Sequence, residues 1–288
     1  TYTDTFQMPM ACTDWVFSWD ECCRNAAITN LNSPDTYDLY VQATLNNTVA
    51  TYNSSPLFTT LPVPFICANQ LYSYNHGAVD ADGDSLVYSL INPLSLGTPI
   101  PYNGTFTPTQ PVNTNPANSL TFGSSTGQMS FNPNGVQVCV VAVLVQEYRN
   151  GILIGSTMRD IQIVVLNLPG CGVPPVFTGA IQPTVTNGFY INANNVQVCP
   201  GSPLSFNVLA YNPTADSIFL SSDVAISIPG ATVTYNHVTK DSIYATVAWI
   251  PSALVTGINN LVFTVSNHNC PISNVQAFAV TIDVLAGT

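Results

Sequence analysis

Apolar residues recur at every second position through the patterned stretches of this chain. Tyr37, Leu39, Val41, Ala43 and Leu45 alternate with Asp38, Tyr40, Gln42 and Thr44. Leu204, Phe206, Val208 and Ala210 repeat the pattern, as do Ile243, Ala245, Val247 and Trp249, then Leu261, Phe263 and Val265, and last Val280, Ile282 and Val284. A period of two puts one face of a strand in a core and the other toward water. Prolines (22) and glycines (17) interrupt these runs at short intervals, and no capped amphipathic stretch is long enough for a helix. The pattern predicts an all-β protein built as sandwiches. Val140 to Tyr148 and Ile152 to Val165 flank Asn150-Gly151, a pair that suits a type I′ turn because both residues tolerate positive φ. A long, projecting two-stranded finger is expected there.

An internal repeat sets the domain plan. Cys67, Tyr74-Asn75 and Asp84-Ser85-Leu86 return as Cys199, Phe206-Asn207 and Asp216-Ser217-Ile218, each 132 residues later. Phe131-Asn132-Pro133 matches Trp249-Ile250-Pro251, and Ile161 to Leu166 matches Val280 to Leu285, at separations of 118 and 119. Two copies of one module follow each other over residues 63–169 and 170–288. Each has the size and strand count of an Ig-like (PKD- or cadherin-like) sandwich. The fall in separation places about 13 extra residues in the first copy, within the Pro-, Asn- and Thr-rich stretch Thr98 to Asn118. Residues 1–62 fit neither copy and read as a partial or small cysteine-containing β domain, too short for a sandwich of its own. Either its other half lies upstream, or strands come from a neighbour. The joint between the two modules is expected at Leu168 to Pro175, where prolines limit bending.

Charge narrows the possible partners. Only four residues are Lys or Arg (Arg24, Arg149, Arg159, Lys240) against 15 Asp and Glu, a net charge of −11. Four cations cannot neutralise a row of phosphates, so nucleic acid and anionic lipid are excluded as partners. The longest apolar run, Val138 to Val145, is far short of the ~20 residues of a membrane helix. No signal peptide opens the chain, so it reads as a mature product or an interior segment.

The eight cysteines, Cys12, Cys22, Cys23, Cys67, Cys139, Cys171, Cys199 and Cys270, contain no C-x-x-C pair, and the histidines show no finger-like spacing, which argues against structural zinc. An even count in a lysine-poor chain fits an oxidising, extracellular setting with disulfides; buried free thiols are the alternative. Connectivity stays open among 105 pairings, with a small loop from Cys12 to Cys22 or Cys23 expected.

The run Cys22-Cys23-Arg24-Asn25-Ala26-Ala27-Ile28-Thr29-Asn30 is followed by Asn53-Ser54-Ser55-Pro56-Leu57-Phe58, by Pro64-Phe65-Ile66-Cys67-Ala68-Asn69-Gln70, and by Tyr74-Asn75-His76-Gly77-Ala78-Val79-Asp80-Ala81-Asp82-Gly83-Asp84-Ser85-Leu86-Val87-Tyr88-Ser89-Leu90. These motifs resemble the large repeat-containing cell-surface proteins of Bacteroidota that end in a gliding-motility-associated C-terminal domain, including the SprB-like adhesins. The resemblance covers residues 12–90 with specific motifs and the remainder more loosely. It implies export by type IX secretion, a cell-surface location, and a stalk or filament of tandem sandwiches. The C-terminal sorting domain of that family is not visible in this sequence.

Several residues are candidates for chemistry. Asp80, Asp82 and Asp84 alternate around Gly83, which suits a hard, oxygen-seeking Ca²⁺ as a structural ion; the EF-hand version fails because Ile91 stands at loop position 12. The competing reading is a turn whose Asp side chains satisfy backbone N–H groups. Asp84-Ser85-Leu86, Asp216-Ser217-Ile218 and Asp241-Ser242-Ile243 resemble the Bacteroidota O-glycosylation signal, making Ser85, Ser217 and Ser242 candidate acceptors. Gly123-Ser124-Ser125-Thr126-Gly127 fits G-x-S-x-G, but the residues after it read as a strand, so a hairpin turn is expected instead of a hydrolase elbow. Glu21 and Glu147, the only glutamates, fall in different units and offer no glycosidase pair. Trp249 belongs to the core phase of its strand, Trp15 and Trp19 are ambiguous, and Tyr40 and Tyr244 fall on the outward phase, where they could stack on sugars.

No catalytic or cofactor-binding residue emerges, so the expected function is structural and non-enzymatic: a stalk or filament segment of an extracellular protein, touching neighbouring modules or copies of itself. One alternative is an adhesin module gripping surface polysaccharide or other cells. Another is a self-assembling filament subunit that exchanges strands between copies.

Overall fold

The computed structural model describes residues 7–50, 52–181, 184–267 and 272–286. Nearly all its regular structure is β-strand; one 3₁₀ turn (Pro34–Thr36) and one helical turn (Val224–Ser227) are the exceptions. Two sandwiches follow each other.

In the second, a sheet ordered Val176–Ala180, Leu204–Tyr211, Ser242–Trp249, Thr232–Thr239 faces one ordered Phe189–Asn192, Asn195–Val198, Val275–Val284, Gly257–Asn267, Ile218–Ser222. The alternation read from sequence holds here. Phe206, Val208, Ala245, Val247, Phe263 and Val265 are fully buried between the sheets, and Trp249 packs with them.

The first sandwich pairs the short sheet Thr121–Phe122, Gln128–Phe131, Tyr72–Asn75 with a larger one built on Ser85–Ile91, Gln137–Arg149 and Ile152–Leu166. The repeat is preserved down to strand register. Tyr72 pairs with Phe131 as Leu204 pairs with Trp249, and the parallel pair Phe65 with Val164 recurs as Gln197 with Asp283.

Residues ahead of the first module join its larger sheet. Trp15–Glu21 pairs with Leu39–Leu45, which pairs through Ala43–Leu45 with Gly155–Thr157. The hairpin at Asn150-Gly151 forms with φ of 53° and 78°, as the dipeptide demands. It is no free finger, because Ser85–Ile91 lies along one side and Leu39–Leu45 along the other. This sheet also reverses the reading of Tyr40. The side chain is buried against Leu94, Ala142 and Met158, since Leu39–Leu45 lies among paired strands of this sheet, while the other residues of the strand are half-buried.

The resembling motif at 22–30 pins this segment down. Arg24 makes a bidentate, nearly solvent-free ion pair with Asp160 (2.8 and 3.2 Å) and donates to the Leu94 carbonyl. Asn30, fully buried, donates to the Pro111 and Val140 carbonyls and accepts from the Val140 N–H.

The modules are bound together rather than hinged in series. Gln128 of the first donates to the Ala277 carbonyl and accepts from the Ala279 N–H of the second. Gln276 of the second donates to the Leu71 carbonyl and accepts from the Ser73 N–H of the first. Val262 and Ala277 enter the first module's core cluster. A disulfide joins Cys67, beside the last strand of the first module, to Cys171 in the connecting segment.

The remaining cysteines depart from the sequence reading. Cys22 and Cys23 are bonded to each other, so the loop expected from Cys12 is absent, and the Cys12 thiol donates to Asp14 instead. Cys139 is a buried free thiol, its pKa raised to about 12 by desolvation, and Cys199 is exposed and free. Cys270 lies outside the described residues.

Candidate functional site

Strand Ala78–Val79 leads into the acidic loop, which turns at Gly83 (φ 82°) and enters Ser85–Ile91. The loop forms one wall of a groove of about 670 Å³, and Leu254 to Asn260 of the second module form the other. Oδ1 of Asp80 accepts from the N–H groups of Asp82 and Asp84, both at 2.9 Å, as a turn-forming Asp does. Its Oδ2 is buried and has no hydrogen-bond partner.

The three aspartates do not converge as the sequence suggested. Asp82 accepts from the Ser54 N–H (2.6 Å) and lies 3.6 Å from Arg149. Its place is taken by Glu147, which sits with Asp80 and Asp84 such that one carboxylate oxygen from each lies within 4.8 Å of the others. Glu147 is 1% exposed and accepts from the Asn53 amide at 2.6 Å. Burial, reinforced by the neighbouring aspartates, pushes its pKa up to about 7, while desolvation also raises Asp80. Arg149 answers Asp84 with two bonds of 2.7 Å and donates to the Tyr52 carbonyl; the hydrogen bond to Asp84 raises its pKa.

Three carboxylates against one guanidinium leave a site that can take a proton on Glu147 or a hard cation offered only oxygens. A signal for Glu147 was present in the sequence. Cys139, Val141, Val143 and Val145 form the buried phase of their strand, and Glu147 continues it as the one charged member.

His76, in the same resembling segment, is fully buried and both ring nitrogens lack a hydrogen-bond partner. Its ring meets Tyr74 edge-on at 4.9 Å and Phe122 at 6.0 Å. Burial, then the Arg159 guanidinium, lower its pKa to about 3. Arg159 itself donates to the Tyr74 hydroxyl and to the His76 and Thr60 carbonyls and lies over the Phe58 ring.

The G-x-S-x-G stretch is a hairpin turn closed by Gly123 N–H to Gln128 and Gly127 N–H to Gly123. The His76 N–H bonds the Gly127 carbonyl there, yet its ring pairs with no serine, so no nucleophile–base pair exists at this turn. Ser85 and Ser217 are exposed and Ser242 is half-buried. Glu21 is exposed, Tyr244 half-buried, and Trp15 and Trp19 are half-buried on one face of their strand. Among the described residues no helix is long and apolar enough to cross a membrane.

No family model matches the chain, and no curated protein matches it. Among solved structures it is similar to an endo-fucoidan hydrolase of glycoside hydrolase family 107 at 14% identity and a TM-score of 0.25, covering 94% of this chain but 39% of that one. The extracellular cadherin domains 1–4 of protocadherin gamma B7 match at 10% identity and a TM-score of 0.26, over 98% of this chain and 67% of that one. Titin domains Z1Z2, solved in complex with telethonin, match at 10% identity and a TM-score of 0.24, over 82% and 98% of the two chains.

Proposed function

We propose that this chain is a structural segment, stalk or filament, of an extracellular bacterial cell-surface protein, built from tandem Ig-like modules and serving reach and stiffness. The observation that carries this reading is the inter-module interface. Two side-chain amides bond backbone in opposite directions across it, two residues of one module enter the other's core, and a disulfide fastens the connecting segment. Such a pair transmits load without a hinge. The Bacteroidota resemblance supports surface display and type IX export. The site residues lend no support to an enzyme reading: among the described residues the one buried histidine, His76, faces aromatic rings, and the buried Glu147 accepts from Asn53 beside its acidic neighbours. Pulsed dipolar spectroscopy between spin labels at Val136 and Val238, both exposed, tests the idea. A single narrow distance is expected, and a broad distribution would overturn it.

The orphaned Oδ2 of Asp80 favours a second, compatible reading, in which a structural Ca²⁺ is held by Asp80, Asp84 and Glu147 at the inter-module groove.

A further inference from the structure

Cys199 occupies in the second module the place that Cys67 holds in the first. Cys67 ends Phe65–Cys67, which pairs in parallel with the last strand of its module, Cys67 itself opposite Leu166. Cys199 directly follows Asn195–Val198, which pairs in parallel with Val275–Val284, and the Leu285 N–H donates to the Val198 carbonyl. Two residues past each cysteine the backbone turns at positive φ, 59° at Asn69 and 76° at Gly201. The N–H of each turn residue donates to the carbonyl of the matching proline, Pro133 at 2.8 Å and Pro251 at 2.7 Å. One corner is therefore built twice.

The two cysteines differ only in what covers them. Cys67 is 3% exposed and bonded to Cys171, which stands five residues past Leu166 in the connecting segment. Cys199 is exposed and free, and Leu285 is the counterpart of Leu166. We infer that Cys199 is the covalent attachment point for the segment that follows the second module: a cysteine five residues past Leu285 bonds it, as Cys171 bonds Cys67, and fastens a third module in place. This rests on the tandem-segment reading above and extends it.

The first joint shows what such a staple does. Gln70 of the first module donates to the Cys171 carbonyl, while Asn274 and Asn267 of the second donate to the carbonyls of Gly172 and Val173. The disulfide thus fixes the connecting segment between two modules that both hold it. Cysteines within the chain are poorer partners for Cys199. Cys139 is fully buried in the first core. Asn267 and Asn274, which bracket Cys270 and bond each other, stand at the start of Val275–Val284, about 30 Å along that strand from the end beside Cys199. Three residues of chain reach only about 11 Å. An exposed thiol in an oxidising setting does not persist unpaired. On closure the two thiols give up two protons and two electrons to a disulfide oxidant such as oxidised glutathione, which leaves as two thiols.

The protein isolated unreduced from the cells that make it, its thiols blocked with iodoacetamide, tests this by non-reducing peptide mapping. Cys199 should be recovered joined to a peptide that contains a cysteine five residues past Leu285. A second measurement uses the chain with its residues past Leu285 replaced by the sequence of Asn167 to Pro175, refolded with oxidised glutathione. The same bond should close, and moving the added cysteine five residues further on should lower its yield on the order of tenfold. Cys199 found alkylated, carrying a small thiol, or bonded to Cys12, Cys270 or the Cys199 of a second copy would overturn the inference, as would equal yields from the two extensions. A free Cys199 with a narrow Val136–Val238 distance refutes the staple alone, whereas a stapled Cys199 with a broad distance refutes the stiff-segment reading alone.

Discussion

Replacing His76 by Phe should make the protein less sensitive to acid, by an amount the structure sets. The folded chain holds this imidazole at a pKa of about 3, because it is buried among Tyr74, Phe122 and the Arg159 guanidinium, with no acceptor for a second proton. In the unfolded chain it returns to about 6.5. Between those values the unfolded state binds a proton that the folded state refuses. Stability is therefore intact above pH 6.5 and falls as the pH drops toward 3, at ~1.4 kcal/mol per unit. Between pH 8 and pH 5 the loss is about 2 kcal/mol. Glu147, Asp80, Asp160 and Asp223 act in the opposite sense, since burial raises their pKa values and the folded state gains from protonating them. The wild-type slope is therefore a mixture, and the quantity to read is the difference between wild type and variant. Urea unfolding followed by tryptophan fluorescence at pH 8 and pH 5 supplies it. The variant's stability relative to wild type should rise by about 2 kcal/mol on going to pH 5. A gap that stays constant, with equal m-values, would refute the reasoning.

Four further outcomes follow from the same packing. Arg24→Ala should cost about 3–5 kcal/mol, because it strands a buried Asp160 carboxylate; denaturant unfolding measures this. Cys67→Ser opens a disulfide spanning 104 residues and should cost about 4 kcal/mol, matched by adding reductant to wild type. Gln128→Ala should leave each module folded but broaden the inter-module distance distribution and speed amide exchange at Ala279, whose N–H loses its acceptor. Glu147→Gln should remove the stabilisation that wild type gains as the pH falls from 7 toward 4.5, and should abolish any calorimetric Ca²⁺ heat; a wild type giving no heat would end the cation reading.

What the sequence disclosed depended on how local the cause was. Period-two alternation and the Asn150-Gly151 turn are local, and both appear where expected. The repeat was legible because its spacing reflects strand register, and the pairs Tyr72–Phe131 and Leu204–Trp249 preserve it. Tyr40 failed because alternation says which residues share a face, while which face is buried depends on neighbours 50 to 120 residues away, Leu94 and Met158 among them. Disulfides were expected, but their pairing stayed open for a similar reason: Cys67 meets Cys171 only because a parallel strand pair brings Cys67 beside the exit of the module. Around the acidic loop, sequence proximity suggested Asp82, but strand pairing supplied Glu147, opposite Leu86.

The resembling motifs also take on a different meaning once their contacts are known. Arg24, Asn30, Asn75 and His76 look like site residues, polar and densely spaced, yet each is buried. Arg24 and Asn30 tie the leading segment to the hairpin, and Asn75 accepts from the Gly77 N–H and donates to the Thr126 carbonyl. A chain with four cations cannot blunt its sheet edges with lysine, the common solution. A glutamine amide carries one carbonyl and N–H donors within a few ångströms, so it can satisfy a backbone N–H and C=O together, as a neighbouring strand would. Each such contact orders a side chain at a cost of about 1–2 kcal/mol, which only buried backbone groups, worth about 1–3 kcal/mol each when left unpaired, can offset. The glutamines therefore cap edges where backbone would otherwise be buried unpaired, at Ser73, Ala277 and Ala279. At the exposed strand Thr232–Thr239 the backbone faces water, and that gain is missing.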